Sequence, residues 1–145
     1  MGERRYFAFI AAMHADALYA QDRCDEARQM TDDARAANVP DSGIWATSIM
    51  SLRAKMLARS RQLAAARQLV AQAEALMTPA SSAVVRAEVL EAKAEVDRLA
   101  GAADEAAVSL RSALKIYEDR RATQLAARIR AALASLPAGS RSGPA

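Results

Sequence analysis

RCDEARQM (residues 23–30) and AADEAAVSL (residues 102–110) share the tripeptide Asp-Glu-Ala, and its two copies lie 79 residues apart. Acidic residues in the first turn of a helix stabilise its positive N-terminal end, so each copy predicts the start of a helix. Aligning Ala27, Ala66 and Ala106 divides the distance between the copies into steps of 39 and 40 residues. The sequence therefore predicts a helical repeat with this period.

Small residues recur at two further points of the repeat. Alanine stands seven residues after each aligned position and twelve residues before it. A small side chain at the contact between two helices lets their axes come close, so these positions predict packed pairs of helices. The six further alanines are Ala15, Ala34, Ala54, Ala73, Ala94 and Ala113.

Composition supports a helical fold throughout. The chain has 145 residues, enough for one domain, and about a quarter of them are alanine, the strongest helix former. Gly and Pro occur only five and four times, and they mostly separate the apolar helical stripes. We predict an all-α domain over residues 1–136, with three helical hairpins and a C-terminal capping helix, about seven helices in total. A disordered tail is expected over residues 137–145.

Charge and cysteine content limit the partners and the compartment. The net charge is +3, and basic residues are interspersed with acidic ones, so we expect no nucleic-acid partner. We expect no membrane partner either. The single cysteine cannot form an internal disulfide, which favours a cytoplasmic location. A small helical nucleic-acid binder is kept as an alternative, and its candidate residues are Arg28, Arg35, Arg59, Arg61 and Arg67.

Residues that could carry catalysis have simpler explanations. No glycine-rich phosphate loop and no metal-ligand spacing occurs, so we expect no cofactor and no metal. His14, the only histidine, falls on a predicted apolar stripe, and Cys24 is expected to be a buried thiol. Glu91 and Glu95 share a helix face. A solvent-exposed position on that face is a better explanation for the two carboxylates than a role in acid–base catalysis. The chain is therefore predicted not to be an enzyme.

The small-residue positions resemble the tetratricopeptide repeat (TPR), in which small residues recur at the eighth, twentieth and twenty-seventh positions. Leu18, Leu57, Val70 and Leu110 also match its apolar positions. The resemblance implies a right-handed α-solenoid that acts as a non-catalytic protein-binding scaffold. In such a solenoid, the first helices of the hairpins line the concave surface.

Three segments carry a narrower resemblance: ADALYAQDRCDEA (15–27), RAKMLAR (53–59) and AEVDRLAGAADEAAVSLRSALKIYE (94–118). They resemble the C-terminal repeat region of bacterial signalling proteins that carry a nucleotide cyclase domain and an AAA-type ATPase domain ahead of the repeats. That family usually has Gly where this chain has Asp22. The resemblance implies a regulatory or signalling role, and it offers the alternative of a regulatory tail that contacts its own upstream ATPase or cyclase domain.

The predicted concave groove carries charges of both signs. Asp16, Lys55 and Glu95 occupy equivalent repeat positions and alternate in sign. One interpretation is a groove for an extended or helical peptide of a protein partner, and the other is a charge ladder between repeats that contributes little where it is exposed. The remaining groove candidates are Tyr19, Ser51, Arg59, Glu88, Glu91 and Arg98.

The N-terminal segment is unusually aromatic. Tyr6, Phe7 and Phe9 are three of the six aromatic residues, and Ile10 and Met13 extend the apolar surface. One helix can turn only part of its circumference toward its hairpin partner, so some of this surface is expected to stay uncovered. We predict an interface here, either with an upstream repeat or domain or with a second copy in an isologous homodimer.

Overall fold

The computed structural model describes residues 2–36 and 44–138, except for the side chains of residues 2–5, 8, 9 and 44, and every regular element in this part is an α-helix. All but two residues of the predicted tail lie outside the described ranges. The all-α prediction with about seven helices is confirmed for the described residues. The helices are α1 (Gly2–Ala20), α2 (Cys24–Ala36), α3 (Ile44–Arg59), α4 (Leu63–Leu76), α5 (Ala83–Leu99), α6 (Ala103–Asp119) and α7 (Thr123–Ser135).

Successive helices pack as the pairs α1/α2, α3/α4 and α5/α6, and α7 packs on α6. The first helices also contact each other, because α3 packs on α1 on one side and on α5 on the other. This arrangement places α1, α3 and α5 side by side in chain order. None of the described helices combines the length and the apolar character that a membrane crossing requires.

The recurring alanines lie at the helix contacts. All nine are buried, and even the most accessible of them, Ala94, is only 2% exposed. Ala27, Ala66 and Ala106 are each fully enclosed at the start of a second helix. Larger side chains fill the space between successive pairs of helices. Leu52 of α3, for example, packs against α1. All nine alanines therefore lie in the packed interior, and their role in setting the distance between the helices stays a prediction.

The turn within each helical pair uses a residue with a positive φ angle. Asp22, Arg61 and Gly101 have φ values of 63°, 64° and 82°, and they follow the 39- and 40-residue period. In each turn, the next backbone N–H donates to a carbonyl five residues earlier, as Arg23 does to Leu18 at 2.9 Å. These hydrogen bonds define the Schellman motif that ends a helix. Asp22 thus forms the tight turn without glycine.

Candidate protein-interaction face

Charged side chains of α1, α3 and α5 meet on one side of the molecule, which we call the first-helix face. The structure brings together eight of the nine predicted groove residues there. Contacts across helix boundaries hold them in place, and the neighbouring turn contributes Asp22. The eight groove residues are Asp16, Tyr19, Lys55, Arg59, Glu88, Glu91, Glu95 and Arg98.

Tyr19 on α1 lies beneath two cations of α3. The Cζ atom of Arg59 is 4.1 Å from the centre of the phenol ring, and Nζ of Lys55 is 4.9 Å from it. Lys55 also reaches Oδ1 of Asp16 at 3.5 Å. Burial, and then the negative charge of Glu95, raises the pKa of Tyr19 far above its ordinary value. The hydroxyl is buried and has no hydrogen-bond partner within the described chain.

Glu95 joins α5 to α3. Its carboxylate accepts two hydrogen bonds of 2.9 Å from Arg98 and lies 3.6 Å from Nε of Arg59. The same Arg59 reaches Oδ1 of Asp22 in the first turn at 3.0 Å. Burial alone would raise the pKa of Glu95, but the hydrogen bond from Arg98 and the surrounding cations outweigh it and keep that pKa below its ordinary value. Glu95 is therefore an anion stabilised by cations of α3 and α5.

Glu91 joins α5 to the C-terminal helices. The hydroxyl of Tyr117 on α6 donates to its Oε1 at 2.5 Å, and Nη2 of Arg128 on α7 donates to both oxygens at 2.9 and 3.0 Å. Nothing in the sequence pattern linked Tyr117 or Arg128 to Glu91. Both partners come from more than 25 residues away, so the local periodicity carries no signal for them.

Glu88 differs from the other carboxylates of the face. Its Oε2 accepts a hydrogen bond of 2.5 Å from Ser48 on α3, but it forms no ion pair within the described chain. The side chain is half-buried. Burial raises the pKa of Glu88, the Ser48 hydroxyl opposes that rise, and the negative charge of Asp16 adds to it.

Two sequence expectations need correction. Ser51 does not line the face, because it is buried and its hydroxyl donates to the Thr47 carbonyl one turn earlier on α3. His14 is exposed instead of packed, because α1 turns Ala11, Ala15 and Leu18 to the core. α1 thus turns the side that carries the recurring Ala15, and not His14, toward its neighbouring helices.

The structure also differs from the sequence-based predictions at Glu91, Glu95 and Cys24. The two carboxylates are half-buried and hydrogen-bonded, so they do not form a solvated surface. Cys24 is half-buried rather than buried, and its Sγ lies 3.9 Å from Nη1 of Arg59. No group of three or more His, Cys, Asp or Glu residues in the described part is placed to hold a metal ion.

The N-terminal candidates lie on the outer side of α1. Tyr6, Phe7, Ile10 and Met13 are 65, 43, 46 and 59% exposed. The side chain of Phe9 lies outside the described residues. The expected apolar surface is therefore present on α1, and its role as an interface stays a prediction.

The arginines proposed for nucleic-acid binding have different neighbours. Arg59 is held by the carboxylates of Asp22 and Glu95 on the first-helix face. Arg28 on α2 donates to the Ser60 hydroxyl at 3.3 Å. Arg28, Arg35, Arg61 and Arg67 are exposed, so the nucleic-acid alternative stays a prediction, and a steep salt dependence of binding would be its signature.

No family model matches the chain, and searches of curated proteins and of solved structures give no match either.

Proposed function

We propose that this chain is a non-catalytic protein-interaction module of a bacterial regulatory or signalling protein. Its hairpins would form a right-handed α-solenoid of the tetratricopeptide type, and an extended or helical segment of a partner would bind along the first-helix face. The observation that supports this most is the series of cross-helix contacts that fixes charged side chains of α1, α3 and α5 on one surface.

Fixed side chains favour binding because a partner does not have to order them. Lys55, Glu91 and Glu95 have side chains that are only 16, 13 and 19% exposed, and each is held by a contact to another helix. Immobilising a flexible charged side chain on binding costs about 0.5 to 1.5 kcal/mol, and much of that cost is already met in this fold. Alternating charges on such a surface also select the register of a complementary segment.

The alternative explanation is that these charges only link the helices. The two explanations make different predictions for substitution: a structural ladder affects unfolding, whereas a binding face affects partner affinity. Exposed ion pairs contribute little to stability, so Arg59, whose side chain is 37% exposed, should influence binding more than folding.

Selection of peptides tests the proposal directly. Random peptides of about ten residues, displayed on phage, are selected against the full chain, and the dissociation constants of the selected peptides are measured by fluorescence anisotropy. We expect Lys55→Glu and Arg59→Glu to weaken binding about tenfold or more. Arg67→Glu, on the exposed side of α4, is the matched control and should change affinity less than about twofold.

Two results would count against the proposed face. An equal loss from Arg67→Glu would move the binding surface to the second helices. Failure to select any peptide that depends on Lys55 or Arg59 would leave the charges with a structural role only. Circular dichroism and unfolding midpoints of each variant separate lost binding from lost structure.

A second interface is supported by the exposed stripe on α1. Tyr6, Ile10 and Met13 are spaced by four and three residues, the pattern of an apolar seam between two helices. A second copy of α1, running antiparallel, would cover the same residues on both chains, as an isologous dimer requires. We therefore include homodimerisation through α1 in the proposal.

A further inference from the structure

We infer that Glu88 determines specificity on the first-helix face by accepting a lysine or arginine side chain of the bound partner segment. This inference rests on the proposed function, since it names the chemistry of the segment that would bind there.

The carboxylates on and beside this face differ in their ion pairs. Asp16 is paired with Lys55, Asp22 with Arg59, and Glu91 with Arg128. Glu95 has two arginine partners. Glu88 is the one carboxylate of this described set without a cation within ion-pair distance.

Glu88 is surrounded by polar and charged groups of three packed helices. Ser48 binds one carboxylate oxygen. The largest charge effects on its carboxylate come from Asp16 of α1, Lys55 of α3 and Glu91 of α5. Two of these three are negative, and Lys55 already contacts Asp16 and the Tyr19 ring. The surroundings of Glu88 therefore favour an additional positive charge.

Partial burial of the Glu88 carboxylate has an energetic cost. A half-buried carboxylate loses part of its hydration, and without a counter-ion this loss is not recovered in the free protein. An incoming ammonium or guanidinium group would form a charge-assisted hydrogen bond with the oxygen that Ser48 leaves available. Binding of a basic side chain thus removes an unfavourable feature of the unbound protein.

A cationic side chain fits this position better than a metal ion. A bound Ca²⁺ takes six to eight oxygen ligands, and Mg²⁺ requires octahedral coordination. No suitable group of three or more acidic, His or Cys side chains occurs in the described part of the chain. A lysine or arginine needs only one carboxylate, which Glu88 supplies.

The test repeats the phage selection with the full chain and with its Glu88→Gln variant. We expect peptides selected on the unsubstituted chain to share a lysine or arginine at one position. Replacing that residue by norleucine should weaken binding about tenfold on the unsubstituted chain and less than about twofold on Glu88→Gln, since a good charged pair contributes this much.

Two further variants sharpen the test. Glu105→Gln makes the same chemical change at an exposed position in the first turn of α6, so it should leave the selected motif and the affinities unchanged. Glu88→Asp keeps the charge on a shorter side chain and should retain the basic preference. Circular dichroism confirms that each variant is folded.

The outcomes separate this inference from the proposed function. Selected peptides that need Lys55 and Arg59, but carry no basic residue and bind Glu88→Gln equally well, would overturn the role of Glu88 and leave the face in place. If no selected peptide depends on Lys55 or Arg59, the proposed function fails, and the inference fails with it.

Discussion

The hydroxyl of Tyr117 on α6 donates a hydrogen bond of 2.5 Å to Oε1 of Glu91 on α5, and the tyrosine is only 1% exposed. Burial, together with the charge of Glu91, raises the pKa of Tyr117 well above its ordinary value. The phenol is therefore a protonated donor at neutral pH. Because Arg128 binds the same carboxylate, this contact ties α5, α6 and α7 together.

Removing the Tyr117 hydroxyl tests the strength of that link. We expect Tyr117→Phe to lower the free energy of unfolding by about 1 to 2 kcal/mol, because Glu91 loses a hydrogen bond but keeps Arg128. Urea denaturation measures the change. A double-mutant cycle with Glu91→Ala, which removes the acceptor, should show coupling between the two positions, and additive effects would contradict a direct interaction.

Enlarging a recurring alanine should disturb the helix contacts. We expect Ala66→Leu and Ala106→Leu each to cost about 1 to 3 kcal/mol of unfolding free energy, since both side chains are fully buried. Gln72→Leu, at an exposed position of α4, is the control and should change stability by less than about 0.5 kcal/mol. Equal effects in chemical denaturation would mean that the repeat register is wrong.

The hairpin turns should respond oppositely to glycine and alanine. Gly101→Ala is expected to destabilise by about 1 kcal/mol, because φ is 82° there. An added Cβ would meet nothing within 4 Å, so the backbone conformation alone causes this cost. Arg61→Gly removes a side chain from the same conformation and should be neutral or stabilising by up to about 1 kcal/mol. Ala64→Gly, at an exposed helical position, should destabilise. Thermal unfolding of the three variants provides the comparison.

Glu88 and Glu95 should give opposite pH dependence. The folded-state pKa of Glu88 is raised, so the folded chain holds its proton to a higher pH than the unfolded chain does. Its contribution to stability therefore falls as the pH rises from the unfolded value of about 4.3 through the raised folded value. Relative to the unsubstituted chain, Glu88→Gln should gain stability as the pH is raised through this window, and the difference should then stay constant above it.

The folded-state pKa of Glu95 is lowered, so its contribution is complete above the unfolded value and is lost as the pH falls through the folded value. Glu95→Gln should consequently be less stable than the unsubstituted chain at neutral pH, and the difference should shrink in acid. Unfolding free energies measured at several pH values test both variants. Parallel curves for the two substitutions would contradict the assigned environments.

The exposed stripe of α1 should control the oligomeric state. We expect the chain to form dimers in a concentration-dependent manner, because Tyr6, Ile10 and Met13 present an uncovered apolar surface. Ile10→Glu should shift the equilibrium to the monomer without loss of helicity. Val108→Glu, at an exposed position of α6, is the matched control. Light scattering that finds only monomers of the unsubstituted chain at all concentrations would refute pairing through this face.

The sequence by itself determined the helices, their pairing and the positions of the close contacts. Helix formation follows from local composition and periodicity, and the hairpins follow from short breaks such as the one at Gly101. The alanine spacing was readable for the same reason, because a period that recurs through the chain marks the same contact in every hairpin. Ala15, Ala54 and Ala94 show this, since all three lie at equivalent buried positions.

Only the tertiary structure decided which face of α1 is covered and how the charges are paired. His14 and Ser51 were misplaced because helical periodicity sets a spacing, whereas the neighbouring helices set the direction in which the stripe turns. Arg128 reaches Glu91 across 37 residues, and no cation of the described residues pairs with Glu88, for the same physical reason. The partner of a charged side chain depends on how helices distant in sequence approach each other, and no local pattern encodes that approach.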